Sequence, residues 1–280
     1  MEKITSLQNA RIKKCIRLLG KASERRAQGA FLVEGLRLFM DTPAVYLLEI
    51  FMTEAFYEAH AEEEAFAEKL DADAEVFIVT EEILKKISDT QNPQGIVCTV
   101  RIPVYDEAYW AGLLNTDIRN GIFLILENIQ DPGNLGTLFR SAEAAGAAGI
   151  IMTRGCVDLF SPKVVRSTMS AVFRMPYMIC ESLSEQQDAV VTRLRNAGIT
   201  VLAAALDASA CGYWSADYTG PCAVMIGNEG NGLSREAIDA ADRKVFIPMQ
   251  GRIESLNAAV AGSVILFEAA RQRDHNAHII

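Results

Sequence analysis

Five consecutive apolar residues, Ile122-Phe-Leu-Ile-Leu126, narrow most sharply the folds open to this chain. A strand wetted on one face alternates apolar and polar side chains, so an unbroken run must be buried on both faces. Such strands belong to parallel sheets clothed by helices. The flanking sequence agrees. Glu127–Asn134 is polar and carries the turn residues Asp131-Pro132-Gly133, Leu135–Ala148 has helical periodicity, and Gly149–Thr153 is a second strand. Together they make a βαβ unit. Further strands are predicted at Thr200–Leu206, Cys222–Ile226 and Val245–Pro248. Helices are predicted over Ser161–Phe173, Val190–Asn196 and Leu256–Arg273. This alternation predicts an α/β fold with a parallel sheet covered on both faces. Ligands of such sheets sit beyond the carboxyl ends of the strands. The loops after Leu126, Leu206, Ile226 and Pro248 are therefore where a site is expected.

Upstream the elements are shorter. A basic amphipathic helix is expected over Ser6–Leu19. Strands are predicted at Phe31–Gly35, Leu47–Thr53, Val76–Thr80 and Ile96–Arg101, with helices over Leu36–Asp41, Glu54–Leu70 and Glu81–Ile87. The expected organisation is a basic N-terminal helix over 1–24, a small α/β domain over 25–101, a linker over 102–120 and a larger α/β domain over 121–280. A chain of 280 residues that is 50% hydrophobic can bury two such cores.

Composition bounds the setting. No apolar run approaches the ~20 residues needed to span a bilayer. The N-terminus lacks an apolar signal region, and the six cysteines form no C-x-x-C pair. The reading is a cytoplasmic protein with free thiols and no membrane partner. A net charge of −9 argues against a polyanionic partner, but its distribution reverses that impression. Residues 1–40 hold nine Lys/Arg against three acids, whereas residues 41–82 hold one Lys against thirteen Asp/Glu. Local potential steers a polyanion more than total charge does.

The densest glycine cluster, Gly227-Asn-Glu-Gly-Asn-Gly232, follows the Cys222–Ile226 strand. Its glycine order is reversed from the dinucleotide fingerprint, and no phosphate loop occurs anywhere. The three histidines, His60, His275 and His278, all lie outside the predicted loops, leaving no metal site and no Ser-His-Asp triad. What remains there is Asn128, Asp131, Asn134, Arg140, Glu229, Ser255 and Asn257. This set is rich in amides and poor in bases, which suits the positioning of a donor that is already reactive. Blander readings exist for each. Asn134 could cap the following helix, Arg140 could be a surface arginine, and Glu229 could be a solvated loop residue. Ser255 could cap the last helix, with Asn257 just inside it.

Three segments carry a resemblance. Leu126-Glu-Asn-Ile-Gln-Asp-Pro-Gly-Asn-Leu-Gly-Thr-Leu-Phe-Arg-Ser-Ala resembles the first motif of the SpoU-type 2′-O-ribose RNA methyltransferases, the TrmH-like members of the SPOUT superfamily. Val224-Met-Ile-Gly-Asn-Glu-Gly-Asn-Gly-Leu-Ser resembles the second motif, and Ile247-Pro-Met-Gln-Gly-Arg-Ile-Glu-Ser-Leu-Asn-Ala-Ala-Val-Ala the third. The match covers about residues 120–273, and Phe31-Leu-Val-Glu-Gly is similar to a substrate-binding domain that precedes this catalytic domain. The resemblance implies a SPOUT α/β fold with a deep trefoil knot, preceded by a small α/β RNA-binding domain. It implies S-adenosylmethionine as donor, without a metal, held by Gly227, Ile247 and Leu256 with Leu206 nearby. It implies Asn134, Arg140, Glu229, Ser255 and Asn257 as functional positions, in a homodimer with the site near the subunit interface. The partner would be RNA, because the 2′-hydroxyl is what distinguishes RNA from DNA. Ribosomal RNA is favoured from the two-domain layout. The alternatives are a transfer RNA 2′-O-methyltransferase and a non-catalytic RNA-binding protein on the same fold. A nucleotide-dependent enzyme of the doubly wound class is disfavoured by the missing fingerprint.

Overall fold

The structure, a computed structural model, describes residues 1–71, 73–115, 121–183 and 190–273. The end of the expected 102–120 linker, His275, His278 and the end of the 121–280 domain lie outside the described residues. The chain forms two compact units. Met1–Val104 joins Asp158–Phe173 in one, and Tyr105–Val157 joins the chain from Arg174 onward in the other.

The first unit is built on five strands: β1 (Glu2–Ile4), β2 (Ala30–Glu34), β3 (Leu47–Thr53), β4 (Glu75–Val79) and β5 (Ile96–Arg101). Their spatial order is β1-β4-β3-β5-β2, with β5 antiparallel to both its neighbours. Period-two alternation sends Leu32 to one face, into a core with Ile12, Leu18, Phe51 and Ile83. It sends Phe31 to the other, where its ring centre lies 4.9 Å from Phe160 and 5.9 Å from Phe173. Residues 158–173 thus supply part of this unit's second core layer. Arg25 is 5% exposed, and its guanidinium donates to Asp158 Oδ2 and to the Leu18 and Leu19 carbonyls.

Local chemistry moves several predicted boundaries. The first helix starts at Ala10, because the Asn9 side chain accepts from Arg11 N at 2.8 Å and caps it. Strand β1, too short to show a period, was not predicted. The expected Glu54–Leu70 helix is two helices, Glu54–His60 and Glu64–Leu70. The break clusters the rings of Phe56, His60 and Phe66 and leaves Phe66 fully buried. The expected Ser161–Phe173 helix stops at Thr168, where Met169 and Ser170 adopt φ of 48° and 71°.

The second unit carries seven strands: β6 (Ile122–Leu126), β7 (Gly149–Thr153), β8 (Tyr177–Cys180), β9 (Thr200–Ala204), β10 (Cys211–Gly212), β11 (Cys222–Ile226) and β12 (Arg243–Phe246). Their order is β10-β12-β9-β11-β6-β7-β8, and every pairing is parallel. The central pair, β6 and β11, is buried along its whole length, as the unbroken apolar run required. Phe123 and Ile125 face Trp110, Val191 and Leu194 on one side. On the other, helices Pro132–Ala144 and Ala258–Arg273 pack together. Gly262 lets them approach, since a Cβ there would stand 2.5 Å from Leu138 Cδ2. Ser141 Oγ and Ser263 Oγ share a hydrogen bond of 2.7 Å across the same contact. Each buried leucine or phenylalanine in this layer contributes about 1.5–3 kcal/mol. Short β8 and two-residue β10 were not predicted, as neither is long enough to display a pattern.

Candidate functional site

Three strands, β9, β11 and β12, point their carboxyl ends at one cavity of about 420 Å³. That volume is in the range of small-molecule sites. Its wall is made by Ala204–Leu206, Ile226–Leu233, Val245–Ile247 and Glu254–Leu256, closed below by Ala261 and Ile265. Leu206, Gly227, Ile247 and Leu256, the four expected donor contacts, all line it, as do Glu229 and Ser255. Gly227 could be no other residue, because a Cβ would sit 2.2 Å from Gly232 C and Leu233 N. The loop doubles back on itself there, with Asn228 N and Gly232 N each bonded to the other residue's carbonyl.

The rim is a hydrogen-bonded relay between the loops. Asn134 Nδ2 donates to Glu229 Oε1 at 2.8 Å, and Asn134 Oδ1 accepts from Asn257 Nδ2 at 2.8 Å. Glu229 also accepts from the backbone N–H groups of Gln130 and Asp131, each at 3.3 Å. Asn228 Nδ2 donates to the Asn128 carbonyl at 2.9 Å. Burial is the largest single influence on Glu229 and raises its pKa. The hydrogen bonds from Asn134 and from the N–H groups of Glu229, Gln130 and Asp131 outweigh it, so the carboxyl lies below its ordinary 4.5. Glu229 is thus an acceptor at neutral pH and has no proton to give.

Two capping assignments are corrected by these contacts. Asp131, and not Asn134, caps the Pro132–Ala144 helix, accepting from Asn134 N at 2.8 Å. The turn residues Asp131-Pro-Gly are that cap and the first turn, so the helix starts three residues earlier than Leu135. At the last helix the cap is Asn257, and not Ser255. Its Oδ1 accepts from Ala259 N at 2.9 Å and Val260 N at 3.2 Å, while its Nδ2 reaches Asn134. Arg140 lies about 1.7 turns beyond Asn134 on the same helix. It is exposed and has no protein partner among the described residues, and Asn134, bonded at both amide atoms, does not hold it. Sequence reasoning missed Asn228, whose amide ties the glycine loop to the end of β6.

The cavity's chemistry is selective. Among the described residues its only charged side chains are Glu229 and Glu254, and the remainder is backbone, apolar, amide or hydroxyl. With no Lys or Arg in its wall, it is poorly suited to a phosphate and well suited to a largely apolar ligand with positive charge. Cys156 donates to the Leu126 carbonyl, but burial pushes its thiol up, and that of Cys180 to about 11, so neither is an activated nucleophile. No group of three metal-ligating side chains occurs among the described residues.

Residues 121–267 match the model of the SpoU rRNA Methylase family. The chain belongs to that family. Residues 9–98 match the MRM3-like substrate binding domain, which in this SpoU protein falls within the first unit. The SpoU chain is 32% identical to an uncharacterized tRNA/rRNA methyltransferase of Synechocystis sp., over 96% of this chain and 94% of that one. It is 33% identical to the 23S rRNA (uridine(2479)-2′-O)-methyltransferase of Streptomyces viridochromogenes, over 97% and 92% of the two chains. Among solved structures it is similar to the SpoU methyltransferase AviRb from Streptomyces viridochromogenes in complex with the cofactor AdoMet. The TM-score is 0.82 at 29% identity, covering 96% and 99% of the two chains.

Proposed function

We propose that this SpoU protein is an S-adenosylmethionine-dependent rRNA 2′-O-ribose methyltransferase, with the donor seated in the cavity beneath Gly227–Leu233. The observation that carries this reading is the cavity wall. It stands at the strand ends and lacks any cation, and its two carboxylates favour a positively charged ligand. Gly227, Ile247 and Leu256 would hold the donor through backbone groups, and Leu206 would close the mouth. Bound S-adenosylmethionine supplies a methyl group on an electrophilic sulfonium, so the chain needs no metal for this transfer.

The acceptor hydroxyl must lose its proton as the methyl transfers. Arg140 is the residue assigned to that oxygen. A guanidinium is a poor base, so its contribution is to stabilise the developing alkoxide with fixed positive charge. Its freedom from protein partners leaves its five N–H donors for RNA. Asn134, Glu229 and Asn257 set the spacing of the three loops, and Ser255 borders the acceptor side. The protein is read as a cytoplasmic homodimer whose C-terminal segment forms a trefoil knot. Val260 and Phe267, exposed on the last helix, support a second copy covering that face.

The test separates donor binding from transfer. Arg140→Ala should bind S-adenosylmethionine with wild-type affinity by calorimetry, and lose at least about 100-fold in labelled methyl transfer to ribosomal RNA. Full transfer by this variant would remove Arg140 from the reaction. Equal transfer to transfer RNA would redirect the substrate assignment.

A further inference from the structure

Glu127 is the one carboxylate buried in the second unit among the described residues, at 8% exposure. No cation meets it. Ser234 N and Ser234 Oγ each donate to one of its two oxygens, both at 2.7 Å. The main chain of Glu127 bonds elsewhere: its N–H donates to the Ile226 carbonyl at 2.9 Å. Ile226 and Ser234 are the residues on either side of the loop Gly227–Leu233. One residue at the end of β6 therefore grips that loop at both its ends. Ser234 also caps the helix Arg235–Ala240 by accepting from Ala237 N at 3.2 Å, so the same hydroxyl fixes the element that follows. Glu127 itself does not line the cavity.

We propose that Glu127 is a positioning residue for methyl transfer, acting through Ser234 to hold the Gly227–Leu233 loop in its donor-binding conformation. The physical reason is the cost of a buried carboxylate. Without a counter-cation its charge is balanced only by the two Ser234 donors, so any outward swing of the loop strands it. That penalty makes the closed loop the single low-energy arrangement before any donor arrives, and a preorganised loop need not be ordered on binding. The inference rests on the reading that this cavity takes S-adenosylmethionine.

The experiment compares the full-length wild type with Glu127→Gln, Ser234→Ala, their double variant and Ser234→Thr, which keeps the hydroxyl. Calorimetry with S-adenosylmethionine reports affinity separately from the fraction of competent sites. Glu127→Gln and Ser234→Ala should each weaken the donor by about 10-fold, the scale of one charge-assisted hydrogen bond. The double variant should be no worse than either single one, and Ser234→Thr should bind like wild type. The donor KM should rise while kcat at saturating donor changes little. Amide exchange at Gly232, bonded to the Asn228 carbonyl, should quicken in both single variants. Donor affinity within twofold of wild type in both, additive losses in the double variant, or a loss confined to the number of competent sites would each overturn the latch. Absence of donor binding by the wild type would instead overturn the cavity's assignment, and the latch with it.

Discussion

Asn257 Nδ2 donates to Asn134 Oδ1 across 2.8 Å, joining two residues 123 positions apart in the chain. Asn134 passes the link on to Glu229, 95 positions further along than itself. Each amide is used at both ends, so the geometry of three loops depends on which atom of Asn134 donates and which accepts.

Asn134→Asp tests that dependence while preserving shape. The substitution sets a carboxylate beside Glu229, where the native contact is 2.8 Å. Two carboxylates that close cannot both ionise easily, so one pKa rises. A folded-state pKa raised above the unfolded value of ~3.9 costs nothing at lower pH, and the cost grows as pH rises toward the raised value, at about 1.4 kcal/mol per unit. The variant should therefore melt near wild type at pH 4 and fall behind it at pH 7, with transfer activity lost in step. A constant deficit across that range would show that the relay does not couple to charge.

Glu229 itself predicts a pH window. Its folded pKa is below the ordinary 4.5, since the hydrogen bonds it receives outweigh the effect of burial. Its contribution is present above 4.5 and lost as pH falls through the lower folded value. Donor affinity should hold from neutral pH to about 5 and decline in stronger acid. Glu229→Gln should flatten that decline. A donor-affinity profile falling between pH 7 and 5 would assign the titration to another group.

The basic N-terminal stretch is less available than its composition suggests. Lys3 pairs with Glu54, Arg11 and Lys14 with Glu49, Arg17 with Glu24 and Arg25 with Asp158. Lys13, Lys21, Arg26 and Arg37 are exposed and have no acidic partner among the described residues. These four are expected to meet RNA phosphates. Replacing any one with Gln should lower the slope of log affinity against log salt by about 1 and leave S-adenosylmethionine binding unchanged. An unaltered slope in all four variants would move the RNA surface elsewhere.

Ser170 sits at φ 71°, a conformation costly for a residue with a side chain, and its hydroxyl donates to Asp41 at 2.8 Å. Ser170→Ala keeps the strain and loses the bond, whereas Ser170→Gly loses the bond and relieves the strain. The glycine variant should be the more stable of the two by about 1 kcal/mol in denaturant titration. Equal stabilities would mean that the surrounding contacts, and not the backbone, set the cost.

The apolar run at 122–126 was sufficient to read a doubly covered parallel sheet, and the strand ends that follow from it are where the cavity lies. The cavity-lining positions Gly227, Ile247 and Leu256 were reachable because they stand in motifs contiguous along the chain. The caps were not. Asp131 and Asn134, or Ser255 and Asn257, are equally good capping types, and only the three-dimensional partners decide which side chain is left over for the site. The Glu229–Asn134–Asn257 relay was also hidden, since no local period relates residues so far apart. Glu127 looked like one more polar residue after a strand, and its burial became evident only with Ser234 set against it.

The discontinuous first unit has a consequence for synthesis. Met1–Val104 leaves the ribosome before Asp158–Phe173 exists, and at about 5–20 residues per second the gap lasts roughly 3–14 s. During that interval Arg25 has no Asp158, and Phe31 has neither Phe160 nor Phe173 against its ring. The nascent N-terminal segment thus spends seconds with an apolar face uncovered and with Arg25 held by the Leu18 and Leu19 carbonyls alone. A trigger-type chaperone that shields such a face until residue 173 emerges would raise the yield of folded protein more than one acting after release.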